Sequence, residues 1–102
     1  MSRPEPWRLS PSAYPFTTDV QTRWADLDML GHINNVAMAG LFEEGRGRFT
    51  RSLQMVRSSR DVRWLIAAVS INYLAEGHHP LPVTVASGVG RIGARSWTVY
   101  SA

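Results

Sequence analysis

The chain has 102 residues, a length that fits one domain and excludes two independent ones. Hydrophobic residues make up 44% and charged residues 19%, which is the composition of a globular domain and excludes a disordered or fibrous chain. Cysteine is absent, so disulfides, thiolate metal ligands and a cysteine nucleophile are excluded. Any catalytic group must therefore carry oxygen or nitrogen.

The net charge of +3 comes from eleven arginines, with no lysine, against eight acids. Because the arginines are scattered among acids, we predict no nucleic-acid partner. Residues 46–63 hold six of them, a run typical of a solvated helix face, with an attractive field for a phosphate-bearing ligand as the alternative. No apolar stretch approaches the roughly 20 residues that span a bilayer, and no basic-then-apolar leader opens the chain. We expect a cytoplasmic protein with no membrane partner.

The first third of the chain predicts an arm followed by a strand. Residues 1–15 contain four prolines and are expected to form an N-terminal arm that is neither helix nor inner strand, mobile at its start. Residues 16–102 are then a single domain. Phe16, Val20 and Trp24 alternate along a threonine-rich stretch, which predicts a first strand over residues 16–24.

A polar loop and a long helix follow. Residues 26–35 are dense in side chains that bond local backbone, and Gly31 permits a positive φ there. Asn34 or Asn35 is suited to cap a helix predicted over residues 35–53. Its apolar residues follow helical spacing: Met38, Leu41, Phe42, Phe49 and Leu53. Three glycines, Gly40, Gly45 and Gly47, indicate either close approach of a sheet or ligand, or local fraying.

The last part of the chain predicts three more strands, over residues 64–74, 81–92 and 95–100, with a turn at residues 76–82 and a hairpin connection at residues 93–94. Strand, long helix and three strands form an α+β pattern in which an antiparallel sheet wraps one helix. The sequence stops within a predicted strand, which would leave an unprotected sheet edge. We therefore expect a dimer or a missing piece.

The segment RWADLDMLGHINNV at residues 23–36 resembles the hotdog-fold thioesterases of the 4-hydroxybenzoyl-CoA thioesterase type and the plant acyl-carrier-protein thioesterases. Residues 68–74 and 83–99 are similar to the same family. The resemblance implies a hotdog fold, here without its last strand. It also implies a homodimer or homotetramer with the acyl-thioester site between subunits, and acyl-CoA or an acyl-carrier-protein thioester as substrate.

The resemblance also implies roles for individual residues. Asp28 matches the family's catalytic carboxylate, a nucleophile toward the thioester carbonyl or a base for water, and His32 matches a catalytic histidine beside it. Asn34 and Asn35 match the pair that shapes the loop and starts the helix, and with Gly31 they are expected to bind substrate. No metal and no cofactor are expected beyond the coenzyme A of the substrate. A base together with the N–H dipoles of a helix N-terminus suits thioester hydrolysis on chemical grounds alone.

Several of these residues have plainer interpretations. Asp26 is expected to fix the loop, and by residue type alone Asp28 would also be a turn residue. His32 could equally be a satisfied loop histidine. Leu30 stands where the plant enzymes have an asparagine, so their full carboxylate, amide and imidazole set is incomplete here.

Titratable residues outside the motif are expected to have neither a catalytic nor a metal-binding role. Glu43 and Glu44 lie where some related enzymes place a catalytic glutamate, but solvated or salt-bridged roles are favoured. A metal role for His78 and His79 is disfavoured because no third ligand is evident. The alternative functions are a non-catalytic acyl-CoA-binding or structural hotdog remnant, and a hotdog enoyl-CoA hydratase.

Overall fold

The computed structural model describes residues 4–53 and 65–102. Within these residues the chain forms strand β1 (Phe16–Val20), helix α1 (Asn35–Ser52), and strands β2 (Val83–Ile92) and β3 (Trp97–Ser101). The strands form one antiparallel sheet in the order β1-β2-β3, with α1 packed against it. This is the predicted α+β arrangement of a hotdog fold, with three strands in the described part of the sheet.

Strand β2 is the centre of the sheet. It pairs with β1 from Phe16↔Ser87 to Val20↔Val83, and its other edge pairs with β3 through Ser87↔Ser101. The backbones of Ala86 and Ala102 exchange two hydrogen bonds, of 2.8 and 2.9 Å. At Ala86 and Ser87 both edges of β2 are therefore paired, as buried backbone groups require.

Helix α1 presents one face to the sheet because its buried residues recur every four positions. Leu41, Gly45 and Phe49 are buried, and the Phe49 ring lies 5.6 Å from the ring of Phe16 on β1. A Cβ added at Gly45 would lie 2.5 Å from Val85 Cγ1, so only glycine permits this spacing. The predicted close approach of a sheet is confirmed at Gly45.

The core joins the sheet, the helix and the polar loop before the helix. Its buried members are Val20, Ile33, Leu41 and Val85, and the partly buried residues packed on them are Leu27, Ala37, Met38, Phe42 and Val83. Two loop side chains, Leu27 and Ile33, thus take part in the core. These two side chains anchor the loop to the core, which is unusual for a connecting segment.

The first strand ends at Val20, so the prediction that it runs to Trp24 is wrong. Residues Trp24–Asp26 form a 3₁₀ turn in which the Asp26 carboxylate accepts the backbone N–H of Arg23. This bond turns the chain out of the sheet, and the Trp24 side chain is exposed. The later strands begin two residues after their predicted starts, at Val83 and Trp97.

The strand predicted over residues 64–74 is also wrong for residues 65–74, which lie outside every strand, while Trp64 lies outside the described residues. All of residues 65–70 are exposed, including Leu65, Ile66 and Val69. An apolar pattern of this kind predicts a strand, but a strand forms only where a neighbour pairs with its N–H and C=O groups. No described part of the chain supplies that neighbour.

The N-terminal arm contains two 3₁₀ turns, Pro6–Leu9 and Pro11–Ala13, although we expected no helical structure there. Each begins at a proline, where a missing N–H costs nothing. Tyr14 is buried and donates a 2.7 Å hydrogen bond to the carbonyl of Arg8, whose guanidinium lies 4.2 Å from the Tyr100 ring centroid. The arm therefore packs on β3.

Candidate active site

The loop before α1 folds back on itself in a compact turn. Leu27 and Ile33 form an antiparallel bridge, the N–H of Asp28 donates to the His32 carbonyl at 2.8 Å, and the N–H of Gly31 donates to the Asp28 carbonyl at 3.1 Å. Gly31 has φ +83°, a conformation that other residues rarely adopt. The positive φ that Gly31 was expected to permit is therefore observed, while its role in substrate binding stays a prediction.

Asp28 uses one of its two carboxylate oxygens to hold this turn. Its Oδ1 accepts the N–H groups of Leu30, at 2.9 Å, and His32, at 3.1 Å. The residue is exposed, and its Oδ2 accepts no hydrogen bond from the part of the chain that the structure describes. One carboxylate oxygen is therefore free to act on water or on a thioester while the other fixes the loop.

His32 contacts a carboxylate that the sequence motif does not contain. Its Nε2 is paired with Oε2 of Glu76, and His78 Nε2 lies 3.9 Å from the same oxygen. The imidazole rings of His32 and His78 meet edge to face, with centroids 5.7 Å apart. Because a carboxylate only accepts, the Glu76 contact assigns the hydrogen to Nε2 of His32. The second ring nitrogen, Nδ1, is not engaged by this pair.

Asn34 connects the loop to the helix through both its side chain and its backbone. Its Oδ1 caps α1 by accepting the N–H of Ala37 at 2.8 Å, and its Nδ2 and backbone N–H both donate to the Asp26 carbonyl, at 3.0 and 2.9 Å. Of the two candidates for the cap, the structure selects Asn34. Asn35 is the first helical residue, and its exposed side chain carries no hydrogen bond within the described residues.

The first turn of α1 has two backbone donors without a partner in the part of the chain that the structure describes. The N–H of Ala37 is capped by Asn34, and the N–H of Met38 donates to the Asn34 carbonyl at 2.9 Å. The N–H groups of Asn35 and Val36 make no hydrogen bond within residues 4–53 and 65–102. Such unpaired donors carry the positive end of the helix dipole and attract developing negative charge.

Asp26 fixes the loop, as expected. It is buried, and its carboxylate accepts the Arg23 backbone N–H at 2.9 Å and two guanidinium hydrogen bonds at 2.8 and 3.2 Å. The hydrogen bonds from the Arg23 side chain hold the pKa of the Asp26 carboxyl below its ordinary value, while burial acts in the opposite direction. An ionised, fully bonded carboxylate of this kind is a structural anchor.

The remaining titratable residues take structural positions. Glu43 and Glu44 are exposed on α1 and face Arg46, at 4.0 Å, and Arg48, at 3.5 Å, as surface ion pairs. His79 Nδ1 is 2.9 Å from Thr22 Oγ1, apart from the His32 cluster. Among the described residues no three acidic, histidine or cysteine side chains are arranged to hold a metal ion.

Two residues at the site were missed by the sequence interpretation, Glu76 and Tyr73. Tyr73 Oη donates to the Asn35 carbonyl at 3.0 Å, and nearby the carbonyl of Gly77 accepts the N–H of Ile33 at 3.0 Å. Both residues lie about forty positions beyond the motif, in a segment assigned to a strand and a turn. The charged sequence Glu-Gly-His-His at residues 76–79 was the one local signal of a polar cluster there.

The family model of the Thioesterase-like superfamily matches residues 22–101, which include the loop, α1 and strands β2 and β3. The chain therefore belongs to this superfamily. The resemblance to hotdog thioesterases is confirmed at that level, while the particular member remains a prediction. No helix in the described residues has the length and apolar character needed to cross a membrane.

Two individual proteins are similar to the chain. It is 26% identical over 94 residues to the uncharacterized protein YsmA of Bacillus subtilis strain 168, a match covering 92% of this chain and 62% of YsmA. The chain thus spans less than two thirds of that curated relative. A solved structure described as "a putative acyl-CoA thioesterase from Xanthomonas campestris" superposes with a TM-score of 0.65 at 26% identity, covering 84% of this chain and 73% of that one. This likeness supports the hotdog fold.

Proposed function

We propose that the chain is a subunit of an acyl-thioester hydrolase whose active site is the junction between the polar loop and α1. The observation that carries the proposal is that this junction holds an exposed carboxylate with a free oxygen and two unpaired helix N–H donors within residues 28–36. Thioester hydrolysis requires these two elements, a base or nucleophile and a site for the oxyanion. Membership of the Thioesterase-like superfamily supports the same reaction class.

Asp28 supplies the base or the nucleophile. When Asp28 acts as a base, its Oδ2 takes a proton from water while the water oxygen bonds to the thioester carbonyl carbon. The C–S bond then breaks as the sulfur takes the proton that Asp28 accepted, directly or through His32, giving the carboxylic acid and the coenzyme A thiol and leaving Asp28 ionised again. The bonds from Leu30 and His32 to Oδ1 hold the carboxylate in place during these steps.

The N–H groups of Asn35 and Val36 stabilise the oxyanion. As the carbonyl carbon becomes tetrahedral, its oxygen gains negative charge, and donors already fixed in a helix need no reorganisation to meet it. Asn34 contributes by holding the first turn in place through its cap and its bonds to Asp26. Gly31 permits the turn that sets Asp28 before the helix.

His32 acts beside Asp28, with Glu76 as its orienting partner. The Glu76 carboxylate fixes the tautomer and the position of the imidazole. His32 then provides a proton donor or acceptor for the sulfur or the attacking water. The loop backbone links the two residues directly, because the N–H of His32 donates to Asp28.

The proposed substrate is an acyl-CoA, with an acyl-carrier-protein thioester as the alternative, and the proposed assembly is a homodimer or homotetramer. Several large apolar side chains at and near the junction are exposed in the single chain, among them Trp24, Met29, Leu30 and Val36. Residues 65–70 are exposed as well, among them Leu65, Ile66 and Val69. A second copy and the acyl group of the substrate are the proposed cover.

The test is thiol release from short, long and aromatic acyl-CoA thioesters by the wild type and Asp28→Asn. We expect wild-type turnover and a loss of about 10²- to 10⁴-fold in Asp28→Asn, the usual contribution of a general base. Asn retains an oxygen that can accept the Leu30 and His32 N–H groups, so the fold should persist by circular dichroism. Asp19→Asn is the matched control, because Asp19 is an exposed carboxylate whose Oδ1 accepts only from Thr84 within the described residues.

Other outcomes separate the alternatives. Binding of a non-hydrolysable acyl-CoA analogue by a folded wild type that releases no thiol would replace the proposal with an acyl-CoA-binding hotdog protein. Loss of enoyl-CoA absorbance without thiol release would indicate a hydratase. Equal turnover in the wild type and Asp28→Asn would remove Asp28 from the mechanism.

A further inference from the structure

A short segment far along the chain is attached to the proposed site at three successive points. Glu76 pairs with His32, the Gly77 carbonyl accepts the Ile33 N–H at 3.0 Å, and Tyr73 Oη donates to the Asn35 carbonyl at 3.0 Å. The first contact concerns the histidine and the second the backbone of the loop. The third acts on the first peptide group inside α1.

We propose that Tyr73 is a positioning residue for the oxyanion site and acts through the peptide group that joins Asn35 to Val36. This inference rests on the proposed function. In a trans peptide the C=O and N–H groups point in opposite directions from one rigid plane. A hydrogen bond that fixes the Asn35 carbonyl therefore also fixes the direction of the Val36 N–H, one of the two unpaired donors.

Tyr73 also makes that donor stronger. The Asn35 carbonyl already belongs to the helix hydrogen-bond ladder, and the Tyr73 hydroxyl gives it a second donor. Hydrogen bonds in series polarise the groups between them, so a doubly bonded carbonyl leaves its peptide N–H more positive. The polarised N–H is that of Val36, because it shares a peptide group with the Asn35 carbonyl. The next two N–H groups, of Ala37 and Met38, already donate to Asn34.

The test compares Tyr73→Phe with Tyr14→Phe. Both substitutions remove a tyrosine hydroxyl that donates to a backbone carbonyl, at 3.0 and 2.7 Å, but Tyr14 lies on the N-terminal arm. We expect kcat for acyl-CoA hydrolysis to fall about fivefold to twentyfold in Tyr73→Phe with KM within about twofold, a smaller loss than removal of a direct oxyanion donor. Tyr14→Phe should keep the wild-type kcat even where its melting temperature falls further.

A second readout does not depend on turnover. In the Asp28→Asn background, difference infrared spectroscopy of a bound acyl-CoA labelled with ¹³C at the thioester carbonyl should show the carbonyl stretch lowered on binding. Adding Tyr73→Phe should reverse part of that lowering, and adding Tyr14→Phe should not. A purely structural role for Tyr73 would leave the carbonyl frequency unchanged.

The outcomes separate this inference from the proposed function. An active wild type whose kcat and carbonyl frequency are the same in Tyr73→Phe overturns the role of Tyr73 and leaves the hydrolase intact. A wild type that releases no thiol overturns the hydrolase. In that case a bound carbonyl whose frequency still depends on Tyr73 supports the positioning role in a binding protein, and one that does not overturns both.

Discussion

Residues 26–38 lead into α1 and residues 65–74 follow it in the sequence, yet the two segments differ in the contacts that hold them. In the first, side chains and backbone of Asp26, Asp28 and Asn34 satisfy the turn and the helix start within a few positions. In the second, residues 65–70 are exposed and outside every strand. A polar segment can satisfy itself locally, whereas an apolar extended segment requires a surface from elsewhere.

The proposed catalytic groups lie in the first segment, and the exposed apolar residues proposed for assembly lie in the second. The local segment holds the carboxylate oxygen and the N–H donors that have no partner within the described residues, on a frame anchored in the core by Leu27 and Ile33. The exposed segment leads directly to Tyr73 and Glu76, which hold that frame from the other side. Covering residues 65–70 would therefore also steady the segment that supports the proposed site.

The largest effect, on the proposed self-association, is expected when a charge is placed on the exposed segment. In Leu65→Asp we expect self-association to weaken by at least ~10-fold, because an unpaired carboxylate in an apolar contact costs more than the ~1.4 kcal/mol that tenfold represents. Light scattering after size-exclusion chromatography over a concentration series measures this. Leu81→Asp, at a leucine of similar exposure in the turn, is the control. A Leu65→Asp protein that assembles like the wild type would show that another surface is used.

The junction is tested next by removing its cap. Asn34→Ala leaves the Ala37 N–H without a partner and removes the Asn34 side-chain bond to the Asp26 carbonyl, so we expect a loss of about 1 kcal/mol in the free energy of unfolding. Urea denaturation gives the value. Asn35→Ala alters the neighbouring asparagine, which has no side-chain hydrogen bond in the described residues, and should change stability by less than about 0.5 kcal/mol. Equal losses in the two variants would argue against a local frame held by Asn34.

The smallest expected effect is a pH dependence from Asp26. Because its folded pKa lies below the ~3.9 of an unfolded aspartate, its ion pair with Arg23 stabilises the fold above that pH and loses this contribution as pH falls through the folded pKa. The wild type should therefore be more stable than Asp26→Asn at neutral pH, and the gap should narrow in acid. Urea denaturation of both proteins across this pH range measures the gap. Arg23→Gln should reduce the same pH dependence, and a gap that stays constant into acid would contradict the assignment.

Much of the local structure could be predicted from the sequence. The helix was expected to end at residue 53 and ends at Ser52, the capping residue was narrowed to Asn34 or Asn35, and close approach of a sheet was one of the two interpretations of Gly45. These predictions succeeded because each depends on a residue type and its immediate neighbours. A capping oxygen or a missing Cβ has the same local structural effect whatever the rest of the fold.

The errors arose where a feature depends on distant residues. The first strand was extended to Trp24 because alternation continues past Val20, while the Arg23 and Asp26 pair turns the chain away. Glu76 and Tyr73 were missed because they lie about forty residues beyond the loop that they contact. The apolar pattern of residues 65–74 is typical of a strand, but no described part of the chain lies beside it to pair with its N–H and C=O groups.

The α+β class, the loop, the helix start and the superfamily resemblance could all be predicted from neighbouring residues, because short-range hydrogen bonding and hydrophobic spacing depend on residues close in sequence. The tertiary structure was needed to show that Glu76 pairs with His32 and that Tyr73 bonds to the first turn of α1. These contacts join residues about forty positions apart. They form only when the sheet and the core bring the two segments together.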